Sequence, residues 1–169
     1  MLRNWEEIKQ AEKRPGAALG DGAGTGEAES PKPSRLDSVQ RAMPALAEAA
    51  KLGAKAQKAG FDWPHWRDLL PKLAEETAEL EAEVAAAEGD PARKHAVEAE
   101  LGDLLFTAVN LGRHLGVDAE MALCGCNRRF RDRFREMELA ADRRLEELAP
   151  DELEALWAEA KLKLAGKST

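Results

Sequence analysis

Residues 72–84 read KLAEETAELEAEV and set Glu75, Glu76, Glu79 and Glu83 close together in a helical pattern. Like charges three or four residues apart on a helix repel by about 0.2–0.5 kcal/mol per pair. The cluster therefore lowers helix stability unless a cation collects there. Either this face is solvated or it holds something positive.

The surrounding punctuation extends the helical reading in both directions. Asp68 is the expected N-cap of this helix, and Pro71 falls in its first turn, where a missing N–H costs little. The pattern continues to Gly89. Upstream, Pro44 suits a first helical turn, and AMPALAEAAKLGAKAQKAG forms a helix closed by Gly60. Downstream, Asp90 and Pro91 start a third helix, which carries VEAELGDLLFTAVNLGRHLG, the strongest apolar run in the chain, and stops at Gly116. Asp118 caps a fourth helix in which Cys126, Phe130, Phe134 and Met137 repeat as one apolar stripe. Pro150 and Asp151 open a fifth, DELEALWAEAKLKL. The expected fold is all-α, a bundle of four to five helices joined by short turns.

Composition agrees. Of 169 residues 34% are charged and 5% aromatic, with no tyrosine, while Ala, Glu, Leu, Lys and Arg dominate. That is helix composition, and 44% hydrophobic content suffices for a core. A net charge of −7 opposes wholesale binding to nucleic acid or to an anionic membrane. Only Cys124 and Cys126 are present, which is no disulfide framework and suits a reducing cytoplasm. No apolar run approaches the roughly 18 residues of a membrane span, and MLRNWEEIKQ has acids where a signal peptide is greasy.

Residues 14–36 include RPGAALGDGAGTGEAESPKPSR, whose five glycines and three prolines read as a flexible linker. Before it, residues 3–13 can form a short helix. After it, residues 37–164 make an ordered domain, followed by a disordered tail at 165–169. The pattern W-x-E-x-K occurs at Trp5 and again at Trp157, once near each end. Five positions recur often by chance, so this match alone is a weak repeat signal.

Glu76 and Glu79 are three residues apart and share a helix face, as do Glu100 and Asp103 on the next helix. Two such pairs on adjacent helices can converge. Asp103 is flanked by Leu101, Leu104, Leu105 and Phe106, beside a face that must be buried, where an unpaired carboxylate is costly. Hard divalent cations such as Mg²⁺ take oxygen ligands and complete their shell with water and phosphate. Four carboxylates would balance two such ions. The bland reading of Glu75, Glu81 and Glu83 is a solvated face. A di-iron bundle wants Glu-x-x-His on two helices, and no glutamate here has histidine three residues later. His65, His95 and His114 lack ligand spacing and read as surface or capping residues. Cys124 and Cys126 lack the second pair of a zinc site, and Cys126 is expected to pack in the core.

NRRFRDRFRE supplies a run of arginines in which Arg129 and Arg133 are one turn apart. Guanidinium groups bind phosphate oxygens in a fork. Such a run is otherwise an exposed basic face or a nucleic-acid patch. Lys72 stands one turn before Glu76, on the side of the acids. Acids that can hold Mg²⁺ and bases that can hold phosphate together describe a nucleoside triphosphate site.

At this point the chain resembles a known family. Glu75-Glu76-x-x-Glu79 followed by Glu100-x-x-Asp103 is similar to the EExxE…ExxD pattern of the MazG nucleoside triphosphate pyrophosphohydrolases. GFDWP at 60–64, ELGDLLFTAVNLGRHLG at 100–116 and NRRFRDRFRE at 127–136 match as well, and the likeness covers about residues 40–163. The resemblance implies an all-α fold working as a homodimer. It also implies Mg²⁺-dependent cleavage, with Mn²⁺ as a substitute, of a nucleoside triphosphate to monophosphate and pyrophosphate. Glu76, Glu79, Glu100 and Asp103 match its metal ligands. Lys72, Arg129 and Arg133 match triphosphate contacts, and Trp157 matches a nucleotide contact. Glu75 completes the motif as a base or outer acceptor. Asn110 is either a supporting polar residue of the site or a satisfied core residue. Relatives often carry two such modules in tandem, so residues 1–13 look like the tail of a first module and the W-x-E-x-K match reads as a true repeat. Ala99 stands where many relatives have a second acid.

Two alternatives remain at this level. One is a relative of narrower choice, a dUTP or phosphoribosyl-ATP pyrophosphohydrolase. Another is a non-catalytic helical module that binds protein or RNA through the arginine-rich helix. House-cleaning of aberrant nucleotides is a role suggested by the resemblance alone.

Overall fold

The computed structural model describes residues 33–88 and 90–166. The expected helix at 3–13, most of the expected linker and the last three residues of the expected tail lie outside the described residues. Among the described residues there are five α-helices, three short 3-10 turns and no strand. The chain divides between Val117 and Asp118 into two compact units.

The first unit holds α1 (Ala45–Lys58), α2 (Leu69–Ala87) and α3 (Lys94–His114). Helix α3 packs on both α1 and α2. Gly53 makes the α1 contact close: a Cβ there would lie 2.2 Å from Asn110 Oδ1 on α3. Gly60 follows α1 with φ +84°, and Gly116 follows α3 with φ +68°. Both occupy the left-handed region that glycine enters without steric cost, so the stops expected from sequence form as C-terminal glycine caps.

Entry to α2 differs from the expectation in detail. The chain passes through a 3-10 turn, Trp66–Asp68, before the α-helix begins. The Arg67 N–H donates to His65 Nδ1 at 3.1 Å, and the His65 N–H donates to the Asp68 carboxylate at 3.1 Å. Asp68 thus closes a capping box on the tighter turn instead of capping α2 itself. Asp90 behaves likewise: it accepts the Ala92 N–H at 3.0 Å and caps the turn Pro91–Arg93, after which α3 starts at Lys94.

Leu69 and Val109 are buried as apolar core residues of this unit. Lys72, Glu76, Glu100, Thr107 and Asn110 are buried beside them. Charged residues are rarely buried unless paired, so this part of the interior is built for something other than packing alone.

The second unit is α4 (Ala119–Ala140), the turn Leu145–Glu147 and α5 (Pro150–Ala165), with α4 packed on α5. Asp118 caps α4 as expected, accepting the Met121 N–H at 3.0 Å. Pro150 opens α5, and Glu152 accepts the Ala149 N–H at 2.8 Å while pairing with Arg143. Met137 and Ala160 are buried, and Lys163 pairs with Glu136. The expected core stripe is corrected here: Met137 is buried, but Phe130 and Phe134 are exposed, and Cys126 is an exposed free thiol instead of a core residue. Two helices share one narrow seam, and a stripe three turns long cannot be buried by it. Among the described residues no helix is long and apolar enough to cross a membrane.

Candidate functional site

The helical repeat places Lys72, Glu75, Glu76 and Glu79 along one side of α2, and Glu100 and Asp103 on one side of α3. Packing of α2 on α3 then brings one carboxylate oxygen from each of Glu76, Glu79 and Glu100 within 4.8 Å of one another. Glu76 and Glu100 are buried and Glu79 is partly so. Carboxylates this close and this sheltered repel, and a bound cation relieves them. The donor set is all oxygen, without sulfur or imidazole, which suits Mg²⁺, Mn²⁺ or Ca²⁺ over zinc. Asp103 lies one turn along from Glu100, on the wall of a cavity it shares with Glu76.

Lys72 is the positive counterpart. Its Nζ lies 2.8 Å from Glu75 Oε1 and 2.9 Å from Glu76 Oε1, and its side chain is 7% exposed. Burial alone would push the ammonium toward neutrality. The hydrogen bonds and charges of Glu75 and Glu76 outweigh it and hold its pKa above the ordinary lysine value. Glu83, expected on a solvated face, pairs with Arg93 at 3.0 Å.

The cavity lies wholly within the first unit and measures about 350 Å³, at the small end of ligand pockets. Phe61, Trp63, Pro64 and Phe106 form apolar wall, and Lys72, Glu76 and Asp103 form an ionic end. A polar network forms a further part of the wall. Arg113 donates from its two terminal nitrogens to Asp62 at 3.1 and 2.5 Å, a fork on one carboxylate. His114 Nε2 lies 3.0 Å from Asp62 Oδ1. Asn110 is 1% exposed; its amide donates to the Phe106 carbonyl at 3.0 Å, and its Oδ1 accepts from Arg113 Nε at 3.2 Å. Burial tends to raise the Asp62 pKa, but Arg113 and His114 together hold it below the usual carboxylate value. The Trp63 indole N–H is buried with no hydrogen-bond partner among the described residues.

In the second unit Arg133 stands over the Trp157 ring, 5.8 Å from its centroid, and the Phe130 ring is 5.3 Å from that of Trp157. Arg129 is one turn before Arg133 on α4. Thus the structure brings Lys72, Glu75, Glu76, Glu79 and Glu100 together, sets Asp103 and Asn110 on the adjoining cavity, and pairs Arg133 with Trp157.

Sequence reading missed Asp62, Trp63, Arg113 and His114. Asp62 and Trp63 stand in the family-like stretch GFDWP, and Arg113 and His114 in the last turn of α3, where cations are common, so the matching stretches contain them without giving them a role. His65 is a capping residue as expected, and His95 is exposed, whereas His114 is partly buried against the Asp62 carboxylate.

Residues 66–136 match the family model of the MazG nucleotide pyrophosphohydrolase domain. This stretch is similar to a MazG domain. The match contains Lys72, all five motif acids, Asn110, Arg129 and Arg133; Asp62, Trp63 and Trp157 lie outside it. Curated proteins are similar over nearly the whole chain, among them two pyrophosphohydrolases. The nucleoside triphosphate pyrophosphohydrolase of Escherichia coli strain K12 is 37% identical over 164 residues, covering 95% of this chain and 56% of that protein. The nucleoside triphosphate pyrophosphohydrolase/pyrophosphatase MazG of Thermotoga maritima is 35% identical over 162 residues, covering 94% of this chain and 54% of that one. The chain spans about half the length of these two relatives.

Proposed function

We propose that this chain is a Mg²⁺-dependent nucleoside triphosphate pyrophosphohydrolase, converting NTP or dNTP and water to NMP or dNMP and pyrophosphate. The observation that carries the reading is the convergence of Glu76, Glu79 and Glu100 from two helices beside a cavity of nucleoside dimensions. The MazG domain match and the names of the similar proteins support the same activity.

Glu76, Glu79, Glu100 and Asp103 would hold the metal, with Mn²⁺ able to replace Mg²⁺. When bound, such a cation neutralises phosphate charge and makes water a stronger nucleophile. The protein's own groups do the rest. Glu75, half-exposed beside the cluster, is suited to accept a proton from the attacking water. Lys72 supplies positive charge for the leaving pyrophosphate. The apolar wall of Phe61, Trp63 and Phe106 excludes water and offers aromatic surface to a nucleoside, and buried Asn110 stiffens that wall. Arg129 and Arg133 are assigned to the triphosphate, and Trp157 to the nucleotide, by resemblance to the family. The catalytic domain is taken as residues 37–164, acting as a homodimer in the cytoplasm.

The decisive experiment measures products from a panel of common and damaged triphosphates with Mg²⁺. Equal yields of monophosphate and pyrophosphate support the reading. Orthophosphate as the product, or no metal-dependent turnover of any triphosphate, would sink it. Light scattering reports the oligomeric state of the same sample.

A further inference from the structure

One carboxylate serves two masters in this fold. Glu76 contributes an oxygen to the three-acid cluster, and the same side chain is an ion-pair partner of the Lys72 ammonium at 2.9 Å. Both side chains are nearly buried, so neither charge can be left without a partner at small cost. A metal ion drawn to Glu76, Glu79 and Glu100 therefore meets a resident cation and is repelled by it.

Lys72 has a second place to go. Its side chain lines the cavity, on a flexible four-carbon stem with three donors. The other cation on the cavity wall, Arg113, is held in a fork by Asp62 and also bonds Asn110. An anion arriving in the cavity thus finds Lys72 as the cation that can change partners. We infer that Lys72 is a displaceable counter-ion of the acid cluster, released from Glu76 when a triphosphate takes its ammonium, so that metal and substrate each strengthen the binding of the other. This rests on the proposed pyrophosphohydrolase activity, and by linkage the coupling is equal in both directions.

The test is calorimetric titration of Mn²⁺ into the wild-type protein, Lys72→Met and Lys72→Arg, each with and without an α,β-non-hydrolysable nucleoside triphosphate. Without the nucleotide, Lys72→Met should bind the metal at least about fivefold more tightly than wild type, the lower end of ordinary coupling factors. Lys72→Arg, which keeps the charge, should stay near wild type. The gain in metal affinity on adding the analogue should shrink in Lys72→Met by the same factor by which metal-only binding tightened. A residue that merely braces the fold would give the opposite sign, with weaker metal binding in Lys72→Met. Metal-only affinity unchanged or weakened in Lys72→Met overturns the inference and leaves the proposed activity standing. Wild type that binds no metal even with the analogue overturns both. Should Lys72→Met be too unstable to titrate, Mn²⁺ should raise its melting temperature by more than it raises that of wild type; an equal or smaller rise counts against the inference.

Discussion

Asn110 Oδ1 lies where a side chain on Gly53 would begin: a Cβ at Gly53 would sit 2.2 Å from it. Asn110 cannot yield freely, since its amide donates to the Phe106 carbonyl and its Oδ1 accepts from Arg113. The contact sets how closely α1 approaches α3 and fixes one wall of the cavity. Gly53→Ala should therefore destabilise the protein by about 1–3 kcal/mol, as overpacking does, despite the better helix propensity of alanine. Chemical denaturation checks this; a variant as stable as wild type would mean the helices part without cost.

Glu100→Gln and Asp103→Asn keep side-chain shape and remove one negative charge from a crowded site. Loss of outer-shell metal partners costs 10–100-fold, so loss of a direct ligand should lower Mg²⁺-dependent pyrophosphate release by more than about 100-fold. Stability should not fall, because charge repulsion is relieved. Steady-state rates and a thermal melt of each variant are the measurements. Full activity in either would remove that residue from the metal site.

Asp62 makes a pH-dependent contribution whose sign follows from its lowered pKa. A carboxylate with a folded pKa below its unfolded value, about 3.9, stabilises the fold above that pH and loses the effect as pH falls through the folded pKa. Asp62→Asn leaves Arg113 and His114 without their carboxylate and should cost about 3 kcal/mol near neutrality. The gap between wild type and variant should persist at pH 6 and close below about pH 4. Melting curves across pH 3–7 read it directly; a constant gap would mean that Asp62 charge is not its source.

Trp63 offers a buried indole N–H with no partner among the described residues, on the wall of the cavity. Trp63→Phe deletes that donor and keeps an aromatic ring. Stability should change by less than about 1 kcal/mol, since no hydrogen bond is lost. If the N–H is used by a bound nucleotide, KM for the triphosphate should rise several-fold with kcat held; an unchanged KM for every triphosphate tested would leave the donor without a role in binding.

The helices and the acidic face were legible in the sequence because the information is local. The 3.6-residue repeat puts Lys72, Glu76 and Glu79 on one side of α2 whatever α2 packs against, and Gly60 and Gly116 stop helices through their own backbone freedom. Cys126, expected in the core, is exposed for the same reason in reverse. An apolar stripe says which face of α4 is apolar, but only its partner decides how much of that face is covered.

Other features arise only between elements. Glu76 and Glu100 come within reach because α2 packs on α3 in one register, and Asp62 meets Arg113 and His114 across 51 and 52 residues of chain. Such pairs depend on the angle and depth at which helices pack, which side-chain volumes and the Gly53 contact set. By itself, then, the sequence determined the helices, their ends and the chemical character of each face. The tertiary structure decided which faces meet, and with that the convergence of the acids of two helices and the cavity beside them, because convergence of charges from separate helices is a property of packing and not of helical period.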